Sequence, residues 1–154
     1  MEKKLTFDEI SLIDDDLLRN EALYEYFDED NRLKTRAGNV EFITTMKKIE
    51  ELLKPGMRIL DMGAGTGVYS IPLALKGFEV VSYEPSKQNY QVLEKKVSDL
   101  SLNNISLKCA SSFEMHELPS DYFDLVLLFG PLYHLSKYED QMKTLDGSEK
   151  SMQG

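Results

Sequence analysis

The sequence predicts an α/β protein built on a doubly wound parallel sheet, and three observations predict it. Short apolar runs alternate with segments of helical period along the 154 residues, the order that places helices against a parallel sheet. The stretch Met57–Gly67 (MRILDMGAGTG) is an apolar strand opening into glycines at alternate positions. Leu125–Phe129 (LVLLF) is continuously apolar, as expected of a strand covered on both faces.

Residues 8–27 mix Ile10, Leu17, Leu18, Leu23 and Phe27 with acids and read as one or two short amphipathic helices. Residues 28–39 are polar and form a loop, after which Asn39 is placed to cap a helix with apolar positions Phe42, Met46, Ile49 and Leu53. Pro55-Gly56 stops that helix and turns the chain into the first strand. Residues 1–55 are therefore read as a helical N-terminal extension packed on the core, and 56–135 as the core itself.

Behind the glycine loop, Val68–Lys76 predicts a helix closed by Gly77. Pro72 requires either a late start near Tyr69 or a bend. Glu79–Tyr83 is a second strand, and Glu84-Pro85-Ser86 opens a helix with the stripe Tyr90, Leu93, Val97 and Leu100. Ile105, Leu107 and Cys109 alternate as a third strand, with Cys109 expected as a small buried hydrophobe. Leu125–Phe129 is the fourth. Residues 136–154 hold no further apolar strand and read as a polar, frayed tail.

At 42% hydrophobic and 29% charged residues the composition is that of a soluble globular protein. No apolar run approaches the ~20 residues of a membrane span, and MEKKLTFDEI lacks the apolar core of a signal peptide. The cytoplasm is the expected compartment. One cysteine excludes an internal disulfide and a cysteine-rich zinc site. Of the net charge of −9, most falls in residues 1–30, which hold 11 acidic and 3 basic side chains. The remainder is nearly neutral and shows no basic stripe with interleaved aromatics, so nucleic acid is not an expected partner. The clusters Asp14–Asp16 and Asp28–Asp30 lack the spacing and glycine of a calcium loop, so no metal is expected.

The glycine spacing narrows the ligand. Val68 occupies the place where G-x-G-x-x-G requires its last glycine, which breaks the dinucleotide pattern. Asp61, two residues before Gly63, would repel a phosphate and favour a cation such as an α-amino group or a sulfonium. That combination suggests S-adenosylmethionine. Glu84 lies 23 residues beyond Asp61, near the ~20-residue offset at which an acid meets a ribose diol in the related dinucleotide fold.

These motifs in series resemble the class I S-adenosylmethionine-dependent methyltransferases, of the small-molecule type, over roughly residues 30–135. The resemblance rests on DMGAGTG from Asp61 to Gly67, on Glu84, on Phe123-Asp124, and on FGPLYH from Phe129 to His134. It implies a Rossmann-like sheet with S-adenosylmethionine as cofactor and S-adenosylhomocysteine as product. It places Asp61, Gly63 and Gly65 at the methionine end and Glu84 on the ribose hydroxyls. The segment Thr35–Glu41, with Arg36, is similar to one that closes over the cofactor in relatives. The cofactor-binding set is completed by Ala64, Gly67, Pro85, Ala110, Ser111 and Phe129, with Glu114 as a substitute for the missing acid after the third strand. His134 and Tyr133 are the residues expected to act on or position the acceptor; His116 is read as a surface residue. The resemblance also implies strands beyond the fourth, so the sheet is expected to be incomplete at its C-terminal half. Two other readings stand beside this one: a module that holds cofactor without catalysis, and a dinucleotide-dependent oxidoreductase. The fourth strand is expected at the sheet edge, with Leu127, Phe129 and Leu132 exposed and two copies pairing through Leu125–Phe129.

Overall fold

The computed structural model describes residues 9–10, 12–15, 18–19, 22, 35–111, 118–130, 135 and 137–152. The chain divides into two compact units, Met1–Pro55 and Gly56–Gly154. Most of the helical expectation for 8–27 lies outside the described residues.

In the first unit, α1 spans Arg36–Leu52. Thr35, not Asn39, is its N-cap: the Thr35 hydroxyl accepts from the Gly38 N–H at 3.1 Å. Asn39 falls in the first turn and donates its N–H to the Thr35 carbonyl. Both residues have capping side chains, and the helical period extends one turn further back than its apolar positions mark. Met46 and Ile49 are buried, while Val40 and Ile43 face outward.

The second unit holds a four-stranded parallel sheet of order β3-β2-β1-β4. Its strands are β1 (Arg58–Met62), β2 (Glu79–Tyr83), β3 (Ile105–Lys108) and β4 (Leu125–Leu127). β1 lies inside the sheet and is buried on both faces from Ile59 to Met62, which is why Ile59, Leu60 and Met62 are apolar without alternation, with Asp61 the one charged residue among them. Leu60, Met62, Tyr83, Ala110 and Phe123 form one core cluster. At the amino end of the sheet, Arg58 and Asp124 lock β1 to β4. The Arg58 N–H donates to Asp124 Oδ2 at 2.7 Å, and the Asp124 N–H donates to the Arg58 carbonyl at 2.9 Å.

Helix α2 is short, Ser70–Leu75, so Pro72 falls in its first turn, where no intrahelical N–H bond is lost. It ends in a Schellman turn: Gly77, at φ +92°, donates to Ala74 and Phe78 donates to Leu73. Helix α3 (Lys87–Asp99) is capped by Ser86. Its Leu93 is fully buried, but Leu100 lies past the helix end and is exposed.

Three expectations are corrected here. Cys109 is exposed, because β3 ends one residue before it at the sheet edge. β4 is only three residues long, and Leu127 is buried, unlike the exposed Phe129; Leu132 lies outside the described residues. The tail holds a helix, α4 (Tyr138–Ser151). Its buried face is Thr144, Ser148 and Ser151, and Tyr138, Met142 and Leu145 face outward. An apolar-stripe reading therefore looks at the wrong side of it. The helix ends against the lead into β4: the Ser151 carbonyl accepts from Tyr122 and Phe123, and Met152 pairs parallel with Phe123.

Candidate cofactor site

The site gathers at the carboxyl ends of the strands, where open α/β sheets bind ligands. From Gly63 to Gly67 the chain needs positive φ at every second residue, +77°, +57° and +89°, which side chains other than glycine adopt at a penalty. Two of these glycines have separate reasons. A Cβ on Gly67 would lie 2.5 Å from Leu93 Cδ1, so Gly67 lets the loop pack on α3. A Cβ on Gly65 would meet nothing within 4 Å, so Gly65 leaves backbone bare toward open space. The loop is bound to β2: the Gly63 and Ala64 N–H groups both donate to the Tyr83 carbonyl, at 2.8 and 3.0 Å.

Glu84, the residue after β2, is 1% exposed. Its Oε2 accepts from the Gly65 N–H at 2.7 Å and its Oε1 from the Ser86 N–H at 2.9 Å. Burial raises its pKa from 4.5 to about 7. The two N–H groups pull the other way, and the charge of Asp61 adds to the rise. An ionised carboxylate offers about four lone-pair sites, so two remain for a ligand's donors.

Asp61 lies beneath the loop and is also buried. Its Oδ2 accepts from the Ser70 hydroxyl at 2.5 Å, and that hydroxyl lies 2.7 Å from the Ser82 hydroxyl. Parallel register sets Asp61 opposite Ser82, so the three side chains meet although they come from two strands and a helix. Burial raises the Asp61 pKa from 3.8 to about 6, against the Ser70 hydrogen bonds.

Pro85 adjoins Glu84, and Ala110 and Ser111 follow the carboxyl end of β3. Ala110 is buried, and Pro85 and Ser111 are half-buried. Phe129 follows β4, its ring 5.0 Å from that of Tyr69. The next residue, Gly130, runs close enough that a Cβ would lie 3.4 Å from the Gly63 carbonyl. Arg36 is exposed and belongs to the first unit. Tyr133, His134, Glu114 and His116 lie outside the described residues. A groove of about 440 Å³ opens elsewhere, behind the loop against α3, between Gly67, Ile71, Pro72, Lys96 and Leu100; neither Asp61 nor Glu84 lines it. Among the described residues no group of three or more His, Cys, Asp or Glu side chains could hold a metal.

Sequence reasoning missed Ser70, Ser82, Tyr69, Lys96 and Asn89. Lys96 donates to the Thr66 carbonyl at 3.2 Å and holds the loop from behind. Asn89 stands in the first turn of α3, 5% exposed, and its Nδ2 has no hydrogen-bond partner among the described residues. The spacing Ser86-x-x-Asn89, a cap followed by its third residue, was the available signal for Asn89. Ser70 and Ser82 carry none in the sequence.

Comparison with known proteins gives a consistent result. A family described as "Methyltransferase domain" matches residues 59–149. The chain is 32% identical over 80 residues to a ubiquinone biosynthesis O-methyltransferase of Bradyrhizobium diazoefficiens, covering 52% of this chain and 30% of that protein. It is 33% identical over 98 residues to the 23S rRNA (uracil(1939)-C(5))-methyltransferase of Shewanella sediminis, covering 57% and 22%. The chain thus spans a third or less of these curated relatives. Among solved structures, a SAM dependent methyltransferase from Archaeoglobus fulgidus superposes with a TM-score of 0.65 at 19% identity, over 83% of this chain and 53% of that one. The PH0226 protein of Pyrococcus horikoshii gives 0.74 at 16%, over 85% and 57%. Both likenesses are of fold.

Proposed function

Because the chain belongs to the methyltransferase domain family, we propose that it binds S-adenosylmethionine over the glycine loop and serves methyl transfer to a small-molecule acceptor. The cofactor is S-adenosylmethionine, and it supplies an electrophilic methyl on a sulfonium. The observation that carries the reading is Glu84, a buried acceptor-only side chain tied to the glycine loop through Gly65. A carboxylate in that place suits a ribose diol and repels a pyrophosphate. The bare backbone at Gly65 leaves room for the ligand to approach. Asp61, beneath the loop, adds negative potential that favours a cationic methionine end.

In this reading Asp61, Gly63, Ala64, Gly65 and Gly67 line the methionine end, Glu84 and Pro85 hold the ribose, and Ala110 and Ser111 border the adenine. Phe129 closes the side toward β4. Arg36 as a cofactor residue, and Tyr133 with His134 as acceptor residues, enter this proposal from the sequence resemblance alone. Methyl transfer is an in-line displacement, so the chain's main contribution is to position the reactants and exclude water. The comparisons lend no support to a dinucleotide-dependent oxidoreductase. An RNA acceptor, as named for three relatives, is disfavoured by the nearly neutral charge of residues 31–154.

Titration calorimetry with S-adenosylhomocysteine tests the cofactor reading: binding with one site per chain is expected, and a silent titration would sink it. Incubation with labelled S-adenosylmethionine and either total RNA or small-molecule extract tests the acceptor class, label in RNA being the adverse result. Pairing of two copies along the outer edge of β4 belongs to the same proposal. A clean monomer at high concentration in sedimentation would remove it.

A further inference from the structure

We infer that Asn89 is a ribose-reading residue, its side-chain amide donating to the oxygen of a hydroxyl whose proton Glu84 accepts. The inference rests on the assignment of Glu84 to the ribose, and it adds a second, complementary group to that contact.

Asn89 is the third residue of α3, five residues past Glu84. Its backbone is already in use: the N–H donates to the Ser86 hydroxyl at 3.4 Å and helps to close the helix start. Its side chain is not. Nδ2 is buried and finds no partner among the described residues, although the amide lies near enough to Glu84 to favour the ionised carboxylate. A buried amide donor without a partner is uncommon in native proteins, because water no longer satisfies it. Where one persists beside a ligand-binding group, a ligand acceptor is the simplest partner.

The donor and acceptor inventory then selects the ligand. Glu84 offers only lone pairs, and each of its oxygens already takes one backbone N–H. A group that gives a proton to Glu84 keeps lone pairs of its own. An amide N–H beside the carboxylate supplies the donor that those lone pairs need. A hydroxyl meets both demands at once; a phosphate oxygen meets only that of Asn89, and an ammonium only that of Glu84. The pair therefore reads a sugar hydroxyl, and a deoxy sugar would leave both Glu84 and Asn89 short of a partner. Sites built to bond a hydroxyl reject ligands that lack it for this reason. The outcome is a preference for ribonucleosides over deoxyribonucleosides, set by Asn89 with Glu84.

The test compares S-adenosylhomocysteine with its 2′-deoxy and 3′-deoxy analogues by titration calorimetry of the full chain. In the unmodified protein, removal of one of the two hydroxyls is expected to weaken binding about tenfold or more, the equivalent of one lost hydrogen bond. In Asn89→Ala, S-adenosylhomocysteine itself should weaken by about tenfold, and removing the same hydroxyl should then cost less than about threefold more. Asn89→Leu matches the amide in size but has no polar atom, so it should lose the hydroxyl discrimination while a thermal melt shows it folded. If both variants weaken all three ligands by one common factor, or bind S-adenosylhomocysteine as the unmodified chain does, the amide is a structural group and the inference is wrong. If the unmodified chain binds none of the three ligands, the cofactor assignment fails and takes this inference with it.

Discussion

The Gly65 N–H donates to Glu84 Oε2 at 2.7 Å, joining the glycine loop to the end of β2 across 19 residues of sequence. One carboxylate thus fixes the loop and, in the proposed function, also takes the ribose. Substituting Glu84→Gln removes the charge while keeping the shape. S-adenosylhomocysteine affinity should fall by about 1–3 kcal/mol, the range for hydrogen bonds to a charged group. Calorimetry at pH 8, where the carboxylate of the unmodified chain is ionised, reads this directly. Equal affinity would dismiss Glu84 as the ribose ligand.

The raised pKa values give stability a definite pH dependence. Asp61 goes from 3.8 to about 6 and Glu84 from 4.5 to about 7 on folding, both chiefly through burial. The folded chain therefore holds more protons than the unfolded chain between pH 4 and 7, and stability falls as pH rises through that window. The stability linked to these groups is fully present below pH 4 and lost above 7. For Glu84 the loss is on the order of 3 kcal/mol. Thermal melts of the ligand-free protein should show the decline, and Glu84→Gln should flatten its upper part.

Ligand binding should reverse the proton balance. Hydroxyl donors on Glu84 favour its ionised form, so binding near pH 7 should release protons and tighten as pH rises from 6 to 8. Calorimetry in buffers of different ionisation enthalpy measures the release, and proton uptake would contradict it.

Gly67→Ala and Gly65→Ala should fail in different ways. At Gly67 the new methyl meets Leu93 Cδ1 at 2.5 Å and Ile71 Cδ1 at 2.8 Å, with φ at +89°. Crowding and left-handed strain together should cost about 2–4 kcal/mol in urea unfolding. At Gly65 the methyl enters open space at φ +57°, so about 1 kcal/mol of strain is expected. Its larger effect should be on S-adenosylhomocysteine affinity. Equal stability loss in the two variants would contradict the assignment of their roles.

Ser70→Ala should be more damaging than an exposed serine change. It removes the hydroxyl that bonds both Asp61 and Ser82, leaving two buried groups short of a partner at a cost of about 2–3 kcal/mol. Ser82→Ala leaves the Asp61 bond in place and should cost about 1 kcal/mol. Chemical unfolding of the two variants should rank them in that order.

The loop and the strands were legible because their signals are local, while the edge position of β4 came from the family resemblance. Glycines at 63, 65 and 67, Pro55-Gly56 and Gly77 each impose a backbone state on their own few residues. The Asp61–Ser70–Ser82 group was not legible, since it exists only once parallel register sets Asp61 beside Ser82. Helix α4 escaped because its buried positions are Thr144, Ser148 and Ser151, residues that hydropathy counts as surface. Leu127 is buried although β4 lies at the sheet edge: strand order tells which backbone edge is open, not which faces neighbouring segments cover. At Thr35 and Asn39, two good caps competed four residues apart, and only geometry separates them.

The anchoring of the glycine loop also bears on how the molecule opens. Gly63 and Ala64 give their amides to Tyr83, Gly65 to Glu84 and Gly67 to Ala64, so four of five consecutive amides are held by named acceptors. Amides held to the central strands of a sheet exchange with solvent in the same cooperative event as those strands. Deuterium should therefore enter residues 63–65 at the rate of β1 and β2, not at the rate of a surface turn. A ligand meeting such a site has little loop ordering left to bring about, so its binding entropy should carry a small conformational penalty. The same anchoring makes the site an indicator of the sheet: it persists while β1 and β2 stay paired, and it is lost when they part.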